Sequence, residues 1–217
     1  MTTYTLDNRA PQRVGKLVCL ARNYAEHIKE LGNATPSAPV LFIKPSTSII
    51  ASGGQIVIPS YSEQCHHEIE LAVLIGKSGR NIDESEAMSY VAGYGVALDM
   101  TLRDTQADLK EKGLPWEIAK GFDTSCPLGS FVPAAQVPDP HNLQLTLTVN
   151  DEVRQDDSSA LMMRRIPEVI AYASHIFTLE EGDILLTGTP AGVARVVSGD
   201  RLVARIEGLP TLEVTVA

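Results

Sequence analysis

The sequence predicts a β-rich α+β domain, and three observations carry that prediction. Apolar or alternating runs of strand length recur along most of the chain, from residues 16–21 to 211–216. Segments with helical periodicity are few and irregularly spaced, which argues against a βαβ series and a doubly wound sheet. The 217 residues suffice for one large core but not for two ordinary domains and a linker.

The elements follow in order. Residues 16–21 read as a buried strand, and 24–31 as a short helix stopped by Gly32. Residues 40–44 form a strand bracketed by Pro39 and Pro45, and 55–59 alternate up to Pro59. The longest strand candidate spans 65–76. A helix with an acidic first turn is expected over 83–90, then a strand over 91–100. Gly93 and Gly95 thin one face of that strand and permit close approach or a bulge. Residues 104–112 read as a helix stopped by Gly113, and 132–142, with Pro133, Pro138 and Pro140, as a loop within the domain. Residues 143–149 alternate before the turn dipeptide Asn150-Asp151, after which 152–154 return as a hairpin. A helix over 166–176 and strands over 183–187, 201–206 and 211–216 complete the chain.

Charge and cysteine usage narrow the function. Lys and Arg total 18 against 27 Asp and Glu, a net charge of −9. Such a surface repels phosphate backbones and anionic lipid heads, which sets aside nucleic acid and membrane as partners. Cys19, Cys65 and Cys126 are widely spaced, odd in number and form no CxxC pair. A disulfide scaffold, a zinc ribbon and a thioredoxin site drop out, and a reducing compartment is expected. The first ten residues have neither a basic segment nor an apolar one, and no apolar run approaches the length of a bilayer span. The expected location is the cytoplasm.

The most informative stretch is Cys65-His-His-Glu-Ile-Glu-Leu-Ala-Val-Leu-Ile-Gly76. In a strand, Glu68 and Glu70 share a face, roughly 6.5–7 Å apart at the backbone, so both carboxylates can converge on one hard cation. Taken alone, the pattern equally fits a solvated strand face. Asp99 ends the next apolar strand, where an acid also serves as a helix cap or turn residue. If the chain turns helical there, Arg103 and Gln106 fall on one face with Asp99 and supply carboxylate- and carbonyl-binding groups. Three oxygen ligands, with no Cys or His pair at zinc spacing, favour Mg²⁺ or Mn²⁺. His66 and His67 are adjacent, so His66-His67-Glu-Ile-Glu is not a zincin motif. His27 and Glu30, three apart on a helix, form a pair able to fix the imidazole tautomer and raise its basicity. An ordinary exposed His–Glu pair has the same spacing.

Five ordered blocks resemble the fumarylacetoacetate hydrolase family, in its short, single-domain branch of acylpyruvases and oxaloacetate-handling enzymes. They are Leu41-Phe-Ile-Lys-Pro-Ser, His66-His67-Glu68-Ile-Glu70-Leu, Gly93-Tyr-Gly-Val-Ala-Leu-Asp99-Met-Thr-Leu-Arg103-Asp, Lys120-Gly-Phe-Asp and Leu186-Thr-Gly-Thr-Pro190. The resemblance implies a mixed β-roll of that family's C-terminal-domain type over residues 16–217, preceded by an extension over 1–15. It implies a homodimer that binds Mg²⁺ or Mn²⁺ through Glu68, Glu70 and Asp99, and a substrate with a 2-oxo acid group. Lys120 matches the family's lysine beside the metal. His27 and Glu30 match the dyad on its mobile lid, with the small residues from Gly32 to Ser37 allowing movement. Arg22, Arg103, Gln106 and Thr189 are the expected substrate contacts.

The first reading of these residues is hydrolysis of acylpyruvates, such as acetylpyruvate or fumarylpyruvate, to pyruvate and a carboxylic acid. Water activated by His27–Glu30 attacks the distal carbonyl, and the departing enolate is stabilised at the metal. The alternatives in the same site are oxaloacetate decarboxylation, oxaloacetate enol–keto interconversion, and isomerisation or decarboxylation of a dicarboxylic intermediate of aromatic catabolism. A non-catalytic 2-oxo-acid-binding protein fits the dyad and the lysine least well.

Overall fold

A computed structural model describes residues 2–7 and 10–217. The expected β-rich α+β architecture is present as a curled, mixed sheet backed by a second sheet. The larger sheet runs in the order Val40–Lys44, Leu17–Ala21, Ile184–Leu186, Ile69–Ile75, Val91–Leu98, Cys126–Leu128 and Ile49–Ala51, with Val132–Pro133 also on Val91–Leu98. Leu17–Ala21 lies parallel to Ile184–Leu186, and Cys126–Leu128 parallel to Ile49–Ala51. The second sheet orders Glu152–Ser158, Gln144–Val149, Arg201–Ile206, Leu212–Val216 and Gln55–Ile56. No helix among the described residues is long and apolar enough to cross a membrane.

Strand parity decides where the core sits. Ile69, Leu71, Val73 and Ile75 point into the main core with Val96, Leu98, Leu145, Leu147 and Leu202, between the two sheets. Ala72 and Leu74, on the opposite face, join Cys19, Cys126, Leu186 and Phe131 in a second cluster. Tyr4, Leu6 and Val14 pack into this second cluster, so the N-terminal segment covers a face of the large sheet. All seven residues of Ile69–Ile75 are buried, as a strand covered on both faces requires.

Several expectations are corrected. The strand expected over 65–76 is two strands, Cys65–His66 and Ile69–Ile75. Its partner breaks at the same level: Cys65–His66 pairs with Thr101–Leu102, and Ile69–Ile75 with Val91–Leu98. Between them the His67 N–H turns away to donate to Ala194 O, while the Asp99 N–H still donates to Glu68 O across the junction, so the two acids face each other where the ladder is interrupted. Residues 84–90 form a 3₁₀ helix, with Asp83 accepting from the Ser85 N–H. The loop expected over 132–142 holds the short strand Val132–Pro133 and a 3₁₀ turn at Ala134–Gln136.

Among the described residues the α-helices are α1 (Ala25–Glu30), α2 (Arg103–Glu111), α3 (Glu117–Lys120) and α4 (Ile166–Ile176). The sequence reading contains no counterpart of α3, a single turn too short to show periodicity. The hairpin at Asn150-Asp151 is present, with φ of 51° and 66° at the two residues, as a tight primed turn demands. The register slips between Leu74 and Ile75, opposite Gly93 and Val91, which places a bulge beside the glycines. The close approach is also there: a Cβ on Gly95 would meet the Phe131 ring at 3.1 Å.

Candidate active site

Where the strands break, the three acids meet. Ligand oxygens of Glu68, Glu70 and Asp99 lie within 4.8 Å of one another, and all three residues are buried. Three carboxylates at that range repel strongly, and the neighbouring groups divide the charge unequally. Burial pushes the Glu68 carboxyl up, but Lys120 and Arg103 outweigh it and hold it well below the usual carboxylate range. For Glu70, burial together with Asp99 and Glu68 outweighs Lys120 and the Gly188 N–H and raises its pKa well above normal.

Two lysines reach the acids from below. Lys120 Nζ lies 2.9 Å from Glu68 Oε2, 2.6 Å from Asp99 Oδ2 and 2.6 Å from Thr101 Oγ1. Burial lowers its pKa, but Asp99 and Glu68 more than offset that and keep the ammonium above its ordinary value. α3 places it there, and the Phe42 ring lies 5.0 Å beneath its charge. Lys44 is fully buried. It donates to Ser125 O and Oγ at 3.0 Å and to the carbonyl of Lys120, and lies 2.8 Å from Asp99 Oδ1. It therefore braces the C-terminal end of α3 and the loop that follows it, as well as Asp99.

The donor set fits a hard divalent cation. Asp99 Oδ1 is buried without an acceptable hydrogen bond, despite the nearby Lys44 charge. Three carboxylates, Glu70 within Ile69–Ile75 and Glu68 and Asp99 at the ends of adjacent strands, supply the oxygen ligands that Mg²⁺ or Mn²⁺ takes. Glu70 is oriented from the far side. The Gly188 N–H donates to its Oε2 at 2.6 Å, and Gly188 adopts φ +88° with the Asn23 side chain where a Cβ would be.

Arg22, His27, Arg103, Gln106 and Thr189 line one cavity of about 280 Å³ together with the acids and Lys120, while Glu30 stands behind its wall, against His27. Arg103 pairs with Glu68, and its Nη1 donates to Gln106 Oε1 at 2.9 Å. The helical-face relation expected between Asp99 and these two residues is not the cause. Asp99 precedes a strand, and α2 begins only at Arg103. The convergence is tertiary. Arg103 Nε is buried and unpartnered. On α1, His27 Nδ1 lies 3.1 Å from Glu30 Oε2, and the other Glu30 oxygen accepts from the Gly192 N–H at 3.0 Å. With Nδ1 donating to the carboxylate, Nε2 is the basic nitrogen.

Arg22 holds φ +59°, a left-handed backbone that costs an L residue about 1–2 kcal/mol. The next residue fixes it. Asn23 donates to Thr187 O at 2.8 Å and to Arg164 O at 3.0 Å, and accepts from the Arg164 N–H at 2.7 Å. Thr189 Oγ1 accepts from Gln155 at 2.8 Å, while Gln155 Oε1 accepts from the Ile69 N–H and faces His67 Nδ1, both at 3.1 Å. Sequence reasoning missed Lys44, Gly188 and Gln155. Lys44 carried a signal, a lysine ending an apolar strand between two prolines. Gln155 sits in a polar run, and nothing local marks it.

The chain is similar to known proteins in sequence and fold. The chain is 52% identical over 196 residues to oxaloacetate tautomerase YcgM of Escherichia coli (strain K12), covering 90% of each chain. It is 51% identical over 197 residues to the mitochondrial oxaloacetate tautomerase FAHD1 of Bos taurus, covering 91% of this chain and 89% of that one. Its fold matches the crystal structure of fumarylpyruvate hydrolase from Pseudomonas aeruginosa in complex with Mn²⁺ and pyruvate. That match has a TM-score of 0.95 and 37% identity, over 100% of this chain and 95% of that one. Residues 16–217 match the model described as fumarylacetoacetate (FAA) hydrolase C-terminal, and the chain belongs to that family.

Proposed function

We propose that the protein is a metal-dependent oxaloacetate tautomerase, interconverting the enol and keto forms. The observation that carries this reading is the joining, in one cavity, of a charge-stabilising floor and a proton-transfer pair. Glu68, Glu70, Asp99 and Lys120 make the floor, and His27–Glu30 make the pair. Half-identity to proteins named oxaloacetate tautomerase supports the choice of substrate.

Glu68, Glu70 and Asp99 would hold Mg²⁺ or Mn²⁺, which when bound supplies Lewis-acid stabilisation of an enolate oxygen. The chain's own groups do the rest. His27 Nε2 takes a proton from C3 of the keto form, and the C–H electron pair becomes the C2–C3 double bond of the enolate. Glu30 stabilises the imidazolium that results. Lys120, held cationic between Glu68 and Asp99, stabilises the negative charge that develops on the 2-oxo oxygen. The proton held by the His27 imidazolium is then delivered to that oxygen, directly or through solvent, which completes the enol and restores the base, and the reverse sequence returns the ketone. Arg103, with an unused buried Nε, and Gln106 orient the C1 carboxylate, and Thr189 closes the same side of the cavity.

Acylpyruvate hydrolysis is the second reading. The same dyad can deprotonate water, and the likeness to fumarylpyruvate hydrolase favours it. The test follows decay of the enol absorbance of oxaloacetate, with pyruvate formation and acetylpyruvate cleavage measured in parallel. The reading expects Mg²⁺- or Mn²⁺-dependent loss of enol without matching pyruvate release. No acceleration of that decay with either metal overturns it.

A further inference from the structure

The rim of the cavity carries positive charge that the chemistry at the floor does not use. Lys110 and Arg22 both line the cavity, one from α2 and one from the start of the α1 segment. They converge on a single neutral acceptor: Asn33 Oδ1 lies 2.8 Å from Lys110 Nζ and 3.4 Å from Arg22 Nη2. Among the described residues, no carboxylate lies within ion-pair distance of either side chain. Two cations gathered on one neutral acceptor repel each other, and an anion placed between them would relieve that repulsion. Arg22 is also held there by a left-handed backbone that Asn23 enforces.

We infer that Lys110 and Arg22 form a subsite for the distal carboxylate of the substrate, so that the cavity selects 2-oxo dicarboxylates over 2-oxo monocarboxylates. The inference rests on the 2-oxo acid reading above and deepens it. Arg103, Gln106 and Lys110 succeed one another along one face of α2, and all three line the cavity. The helix thus grades from groups that serve the metal-proximal end to one that serves the far end. Burial, Arg22 and Arg103 lower the Lys110 pKa, in keeping with a cation that lacks its counter-ion. A carboxylate accepts from both heads at once, where the Asn33 oxygen offers only a neutral acceptor.

The test uses the Mn²⁺-loaded full chain and two ligands. Oxaloacetate has the distal carboxylate, and pyruvate, used as a competitive inhibitor, lacks it. K110M and R22N are compared with the parent, asparagine being tolerated in left-handed backbone, and K110R is the conservative control. The expected result is a KM for oxaloacetate raised about tenfold in K110M and R22N, the scale of one lost charge-assisted hydrogen bond. The pyruvate inhibition constant should stay within about twofold, and K110R should restore most of the oxaloacetate KM, because a guanidinium keeps the charge. An unchanged oxaloacetate KM in K110M overturns the subsite. Parallel weakening of both ligands overturns it as well, because the effect is then a general field. If the parent binds neither ligand, the 2-oxo acid reading itself fails, a result distinct from the other two.

Discussion

The Gly188 N–H donates to Glu70 Oε2 at 2.6 Å, while the same residue, at φ +88°, lies against the Asn23 side chain. One glycine thus ties the carboxylate to the asparagine that fixes Arg22 in its left-handed backbone. A Cβ at position 188 would meet Asn23 at 2.8 Å in a conformation that L side chains rarely adopt. Gly188→Ala should therefore cost about 1–3 kcal/mol of stability and lower metal affinity, because the N–H that orients Glu70 moves. Denaturant unfolding and metal titration of the same preparation check both effects.

The raised pKa of Glu70 gives the metal site a pH dependence whose sign is fixed. Burial, Asp99 and Glu68 favour its protonated form, so binding a cation must release that proton. Metal affinity should rise with pH by about tenfold per unit until the raised pKa is passed. In the metal-free protein, a folded pKa above the unfolded one gives stability that is full below the unfolded value. That stability is lost as pH rises through the folded value. Chelator-treated protein should thus lose thermal stability on going from mildly acidic to alkaline pH, and added Mn²⁺ should restore it most at the alkaline end. A metal-induced stabilisation that shrinks with rising pH contradicts the assignment.

The two buried lysines should separate by what they damage. Lys44 is spent on Asp99 and on carbonyls at the end of α3 and in the loop that follows it. Lys44→Met removes the cation beside Asp99 Oδ1 and strands several buried acceptors, while Lys120 still pairs Oδ2, and should destabilise by about 3 kcal/mol, the low end for a broken buried pair. Lys120 points at the acids that face the cavity, so Lys120→Ala should show its effect in turnover, by roughly 10²–10³-fold. Chemical unfolding and initial rates, both with metal occupancy checked, distinguish the two.

The acids were legible because strand alternation is local: Glu68 and Glu70 share a face whatever surrounds them. The parity that put Ile69, Leu71, Val73 and Ile75 in one core survived even though the strand itself broke at His67–Glu68. The break was not legible, since it depends on the His67 N–H pairing with Ala194, more than a hundred residues away in the chain. Arg103 and Gln106 were identified through a helix that does not include Asp99, so the pairing rests on tertiary placement. Gln155 and Lys110 become visible only when the second sheet and α2 are set against the cavity wall.

The His27–Glu30 pair separates the two base-dependent chemistries, tautomerisation and acylpyruvate hydrolysis, from decarboxylation. Nδ1 is occupied by Glu30 and the second Glu30 oxygen by the Gly192 N–H, so the dyad is anchored to the loop that carries Thr189. Tautomerisation and acylpyruvate hydrolysis both need a base, one for a C–H proton and the other for water. Decarboxylation of oxaloacetate needs neither, because charge stabilisation at the floor suffices. His27→Ala should therefore lower enol–keto interconversion and any acylpyruvate hydrolysis by roughly 10²–10⁴-fold, and decarboxylation much less. Glu30→Gln should act in the same direction but less severely, because an amide still accepts from Nδ1 yet no longer stabilises the imidazolium. The rates are compared on one preparation with metal binding and unfolding midpoint measured, since a collapsed cavity would lower all of them together. Equal losses in all three reactions, with metal affinity and stability unchanged, would show that the dyad positions substrate or closes α1 over the cavity and moves no proton.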